Sequence, residues 1–278
     1  MDRHNLHALA PRAAIAALAL IGVALTTAPL GNASPTDPPR TSAGLTCLLK
    51  AYPKHLCKAQ GNTLTWCDGT TMVYDDGRDH RDYEALLNKA DLEAMMATPY
   101  PRGRAYPHPG VNVDPGRVRH EPFFRKMYGD AARDVSRTLA PVRWLKSAGG
   151  KTLHVTRVND VHLKLQAVSD ELERRVAPDV LAHIAKTSGT FVWRTVKGTE
   201  RLSMHSFAIA IDVGVKEYGD YWKWSSGGRR PIPYRNRMPL EVVEIFERHG
   251  FIWGGKWYHY DTMHFEYRPE LLAPGCAR

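Results

Sequence analysis

Cysteine is scarce in this 278-residue chain, with only Cys47, Cys57, Cys67 and Cys276. Nine residues separate the first three from one another, so the short C-x2–4-C spacing of a structural zinc site is absent and thiolate ligation is disfavoured. There is no repeat of solenoid length and no low-complexity block of collagen-like composition, which excludes arrays and fibrous classes. A long hydrophobic run is also missing: the most apolar stretch, Ala13 to Ala28, has about 16 residues where a bilayer span needs about 20. Acidic residues are outnumbered, 29 against 38 basic, for a formal charge of +9. That balance permits an anionic partner such as nucleic acid, a membrane surface or an acidic wall polymer, and does not choose among them. What remains is a chain with globular proportions, 43% hydrophobic and 24% charged, long enough to bury a sizeable core.

The first 33 residues read as a secretory signal. Arg3 and Arg12 precede the apolar stretch, and Gly31-Asn32-Ala33 supplies small residues at a cleavage site. No cysteine follows that site, which argues against a lipid anchor, and no stable membrane span is expected after cleavage. Residues 34–44 are rich in proline and serine and read as a flexible leader. An exported chain meets oxidising conditions, so the even set of cysteines is expected to form two disulfides in a periplasmic or extracellular protein. Three pairings are open; if all four pair, one bridge joins Cys276 to the N-terminal group.

Residues 45–98 form a cysteine-bearing N-terminal segment. Pro99 to Pro122 is crowded with proline and glycine and reads as a connection or wrapping loop into the remaining domain, 99–278. Leu165, Val168, Leu172 and Val176 recur at helical steps, predicting a helix over 160–176 stopped by Pro178. A second helix is predicted with Pro239 as its first residue, Val242, Val243 and Phe246 as its apolar face, and Gly250 as its end. Strands are expected at 207–215, 251–253 and around His264-Phe265-Glu266-Tyr267. Mixed elements with hairpin-length connections favour an α+β class with an antiparallel sheet and flanking helices.

The candidate chemistry sits in two stretches. In Phe207-Ala208-Ile209-Ala210-Ile211-Asp212-Val213 the odd positions are bulky and apolar, while the even ones are Ala, Ala and Asp. A strand therefore presents Asp212 on a floor of small side chains, with room for a metal or substrate. His205 stands seven residues before it, and Asp261-Thr262-Met263-His264-Phe265-Glu266 follows the second helix. Two histidines and one aspartate suit Zn2+ with a fourth position left for water, whose pKa the cation lowers toward about 7. Asp261 is within reach as proton acceptor. His259, five residues before His264, is an alternative ligand, and Glu266 shares the side of His264 on a strand, where it can orient that ligand.

Ser203-Met204-His205-Ser206-Phe207-Ala208-Ile209-Ala210-Ile211-Asp212 resembles the Ser-x-His-x-x-Gly-x-Ala-x-Asp signature of the zinc D-alanyl-D-alanine carboxypeptidase family of peptidoglycan metallopeptidases. Asp261-Thr262-Met263-His264-Phe265 resembles its second signature. The similarity covers roughly residues 190–272, looser back to about 100. It implies a hedgehog/DD-peptidase-like fold, zinc on His205, Asp212 and His264, Asp261 as catalytic base, Ser203 in contact with substrate, and Arg194 as the stabiliser of the oxyanion, with Arg201 the lesser candidate. Two positions depart from the pattern. Ala208 replaces a glycine, which costs about 1 kcal/mol if φ is positive there. Asp261 stands where some branches have glutamate, so substrate choice is the open point.

The resemblance implies an exported zinc hydrolase acting on peptidoglycan stem peptides, foremost a D,D-carboxypeptidase. The rivals are an endopeptidase cutting the L-Ala/D-Glu or a cross-link bond, and a non-catalytic wall-binding module of the same fold. A nucleic-acid partner explains the charge but not the His/Asp constellation, so none is expected. Between the two motifs, Tyr218, Tyr221, Trp222 and Trp224 with Arg229, Arg230, Arg235 and Arg237 are candidates for a cleft border that stacks on substrate and meets its carboxylates.

Overall fold

A computed structural model describes residues 42–78, 82–227 and 229–276. The signal over 1–33 and most of the leader expected over 34–44 lie outside the described residues. The leader's last three positions are inside: Ser42 caps α1 (Ala43–Ala51) by accepting from the Leu45 amide at 3.2 Å, and Ala43 and Gly44 are the first residues of that helix. Among the described residues no helix is long and apolar enough to cross a membrane.

After α1 come β1 (Leu56–Gln60), β2 (Thr63–Trp66) and β3 (Thr71–Val73), an antiparallel three-stranded meander. Two short helices follow, α2 (Tyr83–Lys89) and α3 (Leu92–Ala97), each opened by an aspartate, Asp82 or Asp91, whose carboxylate accepts from an amide of the first turn. The proline-rich stretch then leads to α4 (Glu121–Tyr128) and α5 (Ala132–Ser136). β4 (Leu139–Arg143) and β5 (Thr152–Thr156) form a hairpin, backed by α6 (Val161–Arg175) and followed by α7 (Pro178–Ile184). Helix α6 buries Leu165, Val168 and Leu172 as the spacing predicts, and Pro178 both ends that helical run and opens the next.

The sheet that carries the site has the order β6-β7-β9-β8, antiparallel throughout, with β6 at Thr187–Gly189, β7 at Ala210–Val213, β8 at Phe251–Trp253 and β9 at His264–Tyr267. Short α8 (Trp222–Ser226) and α9 (Leu240–Arg248) fall between β7 and β8. The class is α+β with antiparallel sheets. Pro239 caps α9 instead of opening it, and Gly250 follows the cap at φ +90°, where an added Cβ would meet the Tyr267 ring. Helix α9 lies under one face of the sheet, with Phe246 stacked on Phe265 at 3.9 Å between ring centroids. Strand alternation then turns His264 and Glu266 to the opposite face.

One correction concerns the first strand. The chain forms a 3-10 turn over Met204–Phe207, Ala208 is left-handed at φ +54°, and only then does β7 begin. Phe207 and Ala208 are therefore not strand residues, and the strand ends at Val213, short of Val215. Ala208 thus carries the strain of about 1 kcal/mol that a glycine would avoid.

The main core runs from Leu45 and Tyr52 through Phe123, Leu165 and Phe207 to Phe265, so the N-terminal elements pack with the site-bearing sheet. Two disulfides, Cys47–Cys276 and Cys57–Cys67, tie α1 to the chain's end and close the β1–β2 hairpin. The proline-rich stretch is fastened by a fully buried ion pair: Lys256 meets Glu247 and donates to the carbonyls of Pro101 and Gly103, while Glu247 accepts from Tyr100 and the Gly103 amide. Lys256→Met would leave Glu247 buried and uncompensated. We expect it to destabilise the fold by roughly 3–5 kcal/mol in urea titrations, whereas an unchanged midpoint would show that the pair contributes nothing.

Candidate metal centre

The register of β7 on β9 pairs Asp212 with His264 and Ala210 with Glu266. Antiparallel pairing brings opposite residues onto one face, so the carboxylate and the imidazole are neighbours as soon as the strands align. His205 arrives from the 3-10 turn, whose amide end is capped by the Ser203 hydroxyl at 3.4 Å from the His205 nitrogen. The chain before it is laced to this turn, Val192 N donating to the His205 carbonyl and Arg194 N to Ser206 Oγ. One potential ligand atom from each of His205, Asp212 and His264 lies within 4.8 Å of the others.

The donor set is prepared for a cation. Asp212 Oδ1 stands 3.2 Å from His205 Nε2 and 3.0 Å from His264 Nδ1. His205 Nε2 is nevertheless buried without a properly aligned hydrogen-bond partner, an orphan that a metal would satisfy. His264 turns its other nitrogen, Nε2, onto Glu266 at 3.0 Å, which fixes the ring and directs Nδ1 at the site. Burial opposes ionisation of Asp212, but the His205 and His264 imidazoles beside it outweigh that effect and hold this carboxyl well below the usual range. His264 is held protonated up to about 10, because its bonds to Asp212 and Glu266 overcome the effect of burial.

Glu266 does more than its position on the strand suggests. Arg119 grips both of its oxygens and Arg268 Nη1 sits at 3.1 Å, holding the carboxylate ionised despite complete burial. Arg268 is itself bound to Glu270, which accepts from Tyr52, the residue that caps the end of α1, at 2.6 Å. An unbroken chain of buried polar contacts thus connects the candidate ligand His264 to the first helix. The pair Arg119 and Arg268 escaped sequence reasoning, which had no motif to connect them with Glu266.

Asp261 reaches the same cleft from the turn after the 3-10 segment Gly254–Lys256. Its amide donates to Gly254 O and its own carbonyl accepts from the His264 amide. Its Oδ1 is buried and has no hydrogen-bond partner. Burial, reinforced by the charge on Asp212, pushes this carboxyl up to about 7, while His264, Arg117 and Arg194 pull in the other direction. A carboxyl poised near neutrality is suited to exchanging protons with a reacting group. The sign of its effect on stability follows: a carboxyl whose folded pKa is raised stabilises the fold fully below its unfolded pKa near 3.8, and that contribution is lost as pH rises through about 7. Metal-free Asp261→Asn is therefore expected to be more stable than the metal-free parent at pH 8, by on the order of a few kcal/mol, with the difference shrinking to less than about 1 kcal/mol at pH 4. Equal urea midpoints at both pH values would contradict the assignment.

All six nominated residues, Ser203, His205, Asp212, Asp261, His264 and Arg194, border one cleft of about 850 Å3. Arg194 is exposed, and among the described residues its guanidinium donates to the carbonyl of Thr195 at 3.3 Å and forms no ion pair, leaving its charge available to the cleft. His259 also borders the cleft but does not converge with the ligand group. Its Nδ1 is 2.7 Å from Asp114 Oδ2, and its amide donates to Asp114 Oδ1 at 2.8 Å, a buried arrangement completed by Tyr83 and Arg117. A second group, Asp75, Asp76 and Asp91, brings three carboxylates together, but Asp91 already accepts from the Asp76 and Ala94 amides.

The segment between the motifs divides. Tyr221, Lys223 and Trp224 border the cleft, Trp224 with 67% of its surface exposed. Three of its arginines are engaged elsewhere: Arg237 on Asp220 at 3.0 Å, Arg229 on Ser226 O at 3.0 Å, and Arg230 over the Trp222 ring. The cations that do border the cleft, besides Arg194, include Arg117 and Arg119 from the proline-rich stretch.

The three convergent residues and Asp261 lie within one family match. Residues 197–267 match the D-alanyl-D-alanine carboxypeptidase family. The matched stretch is about a quarter of the chain and holds His205, Asp212, Asp261 and His264, so a peptidase-family segment supplies the convergent side chains. D-alanyl-D-alanine carboxypeptidases of this family are generally metal-dependent, and the present donor set of two imidazoles and one carboxylate fits that chemistry. No curated protein and no solved structure matches the chain.

Proposed function

We propose that the chain is an exported zinc peptidase that hydrolyses peptidoglycan stem peptides, foremost as a D-alanyl-D-alanine carboxypeptidase, with a hedgehog/DD-peptidase-like arrangement of residues 99–278 supported by residues 45–98. The observation that carries the reading is the juxtaposition, in one cleft, of three convergent ligand atoms and a carboxylate whose buried Oδ1 has no hydrogen-bond partner. The paired cysteines support export to an oxidising compartment.

In this reading His205, Asp212 and His264 hold the zinc, which when bound acidifies water and polarises a carbonyl. Asp261 takes the proton from the attacking water and returns it to the leaving amine, a role for which its raised pKa suits it. Arg194 places a guanidinium where negative charge develops on the carbonyl oxygen. Ser203 caps the turn that carries His205 and presents its hydroxyl to the peptide. Glu266 keeps the His264 ring oriented and its Nε2 proton in place. A direct hydrolysis with no covalent intermediate is expected.

The test is mass spectrometry of defined muropeptides incubated with the purified protein, with and without chelator. Loss of a terminal D-alanine that stops on chelation and resumes with zinc is the expected result. Cleavage at the L-Ala/D-Glu or a cross-link bond would identify an endopeptidase instead, and binding without any cleavage would identify a wall-binding module.

A further inference from the structure

Beside the cleft lies a second cavity of about 250 Å3 that the proposed chemistry does not use. The loop closed by the bridge between Thr195 and Leu202 contributes to both: Val196, Lys197 and Gly198 border the cleft, Arg201 and Leu202 the cavity. Arg117 and Arg119 border both spaces, so the two adjoin.

The charges in this cavity do not balance. Arg78, Lys89, Arg117, Arg119 and Arg201 line it against a single carboxylate, Glu121. Glu121 is already paired with Arg125 at 2.8 Å and accepts from the Leu202 amide at 2.9 Å. Asp114 answers Arg117, Glu266 answers Arg119 and Asp76 answers Arg78. Arg201 has no ion pair among the described residues, and its Nε is buried with no hydrogen-bond partner. Burial, together with the charges of Arg117 and Arg119, pulls its pKa below the ordinary guanidinium value, outweighing the charge of Glu84, which forms no ion pair with it. A guanidinium does not relieve such crowding by losing its proton, so an anion that enters the cavity would find Arg201 without a competing partner.

We infer that Arg201, flanked by Arg117 and Arg119, forms a subsite for a carboxylate of the peptide substrate, next to the cleft in which that peptide is cut. The inference rests on the peptidase reading above. A planar carboxylate matches the fork of a guanidinium, and the apolar part of the wall, Leu87, Leu202 and Met204, accommodates the short alkyl chain that bears it. The subsite fixes the peptide's register against Asp261, and it takes the role that the sequence suggested for the arginines of 229–237.

The test separates binding from turnover. Zinc-loaded Asp261→Asn protein is titrated by calorimetry with a synthetic stem pentapeptide and with its forms amidated at one carboxylate at a time. One amidated form is expected to bind about 10- to 100-fold more weakly than the parent peptide. Adding Arg201→Gln should erase that difference by weakening the acid alone, and Arg201→Lys should restore part of it. The urea midpoint of the Arg201→Gln protein should be no lower than its parent's, since a charge crowded by like charges has been removed. Equal binding of all the peptides, or an equal loss for acid and amide in Arg201→Gln, overturns the subsite. Wild-type turnover of the same peptides reads the peptidase proposal separately: selective binding without cleavage defeats that proposal alone, and cleavage without selectivity defeats the subsite alone.

Discussion

Asp261→Ala is expected to retain zinc while its kcat on a muropeptide falls by about 10²- to 10⁴-fold, the contribution of a positioned acid–base group. The expectation follows from where the carboxylate sits. It shares the cleft with His205, Asp212 and His264 but is not one of the three whose ligand atoms converge. Its Oδ1 is buried and unpartnered, and burial raises its pKa to about 7, the range in which a group both accepts and returns a proton. Removing it leaves the ligands in place, and the His264 amide still has the Asp261 backbone carbonyl as its acceptor. Metal content by mass spectrometry and single-turnover assays check the two halves together. Full activity with full zinc would remove the proposed base, and loss of zinc would make Asp261 a ligand.

Asp212→Ala is expected to have the opposite signature, with zinc affinity falling by more than about 100-fold and activity dropping to that of chelator-treated wild type. The comparison with outer partners sets this floor, since breaking a contact one step removed from a metal already costs 10- to 100-fold. Asp212 is the centre of the arrangement, with one oxygen facing both histidines. Without it, two imidazoles face a cation with no negative charge to offset it, and His264 loses one of the two carboxylates that hold its ring. Competition against a chelator of known affinity measures the change. A variant that keeps wild-type affinity would show that the cation binds elsewhere.

Much of the site was legible in the sequence because it depends on strand alternation and on two short motifs. The small-residue floor before Asp212 is a local pattern, and the β7–β9 register places Ala210 and Asp212 beside Glu266 and His264. What escaped was of two kinds. Ala208 looks like a strand residue by alternation, yet its left-handed φ breaks the run, because the turn that aims His205 needs that conformation whatever the side chain. Arg117, Arg119 and Arg268 escaped because their importance is set by partners far away in the chain: Arg119 and Glu266 are 147 residues apart, and no spacing rule spans that distance. His259 was an open alternative for the opposite reason. Its nearness to His264 in sequence suggests a ligand, but its binding to Asp114, 145 residues away, settles its ring outside the ligand group.

The proposed binding of zinc by His205, Asp212 and His264 underlies all of this, and zinc-edge anomalous diffraction from crystals of the zinc-loaded protein tests it most directly. The account predicts one strong peak per chain, within bonding distance of those three side chains and of no sulfur. A map with no peak there, or with its peak at Asp75, Asp76 and Asp91, would contradict it.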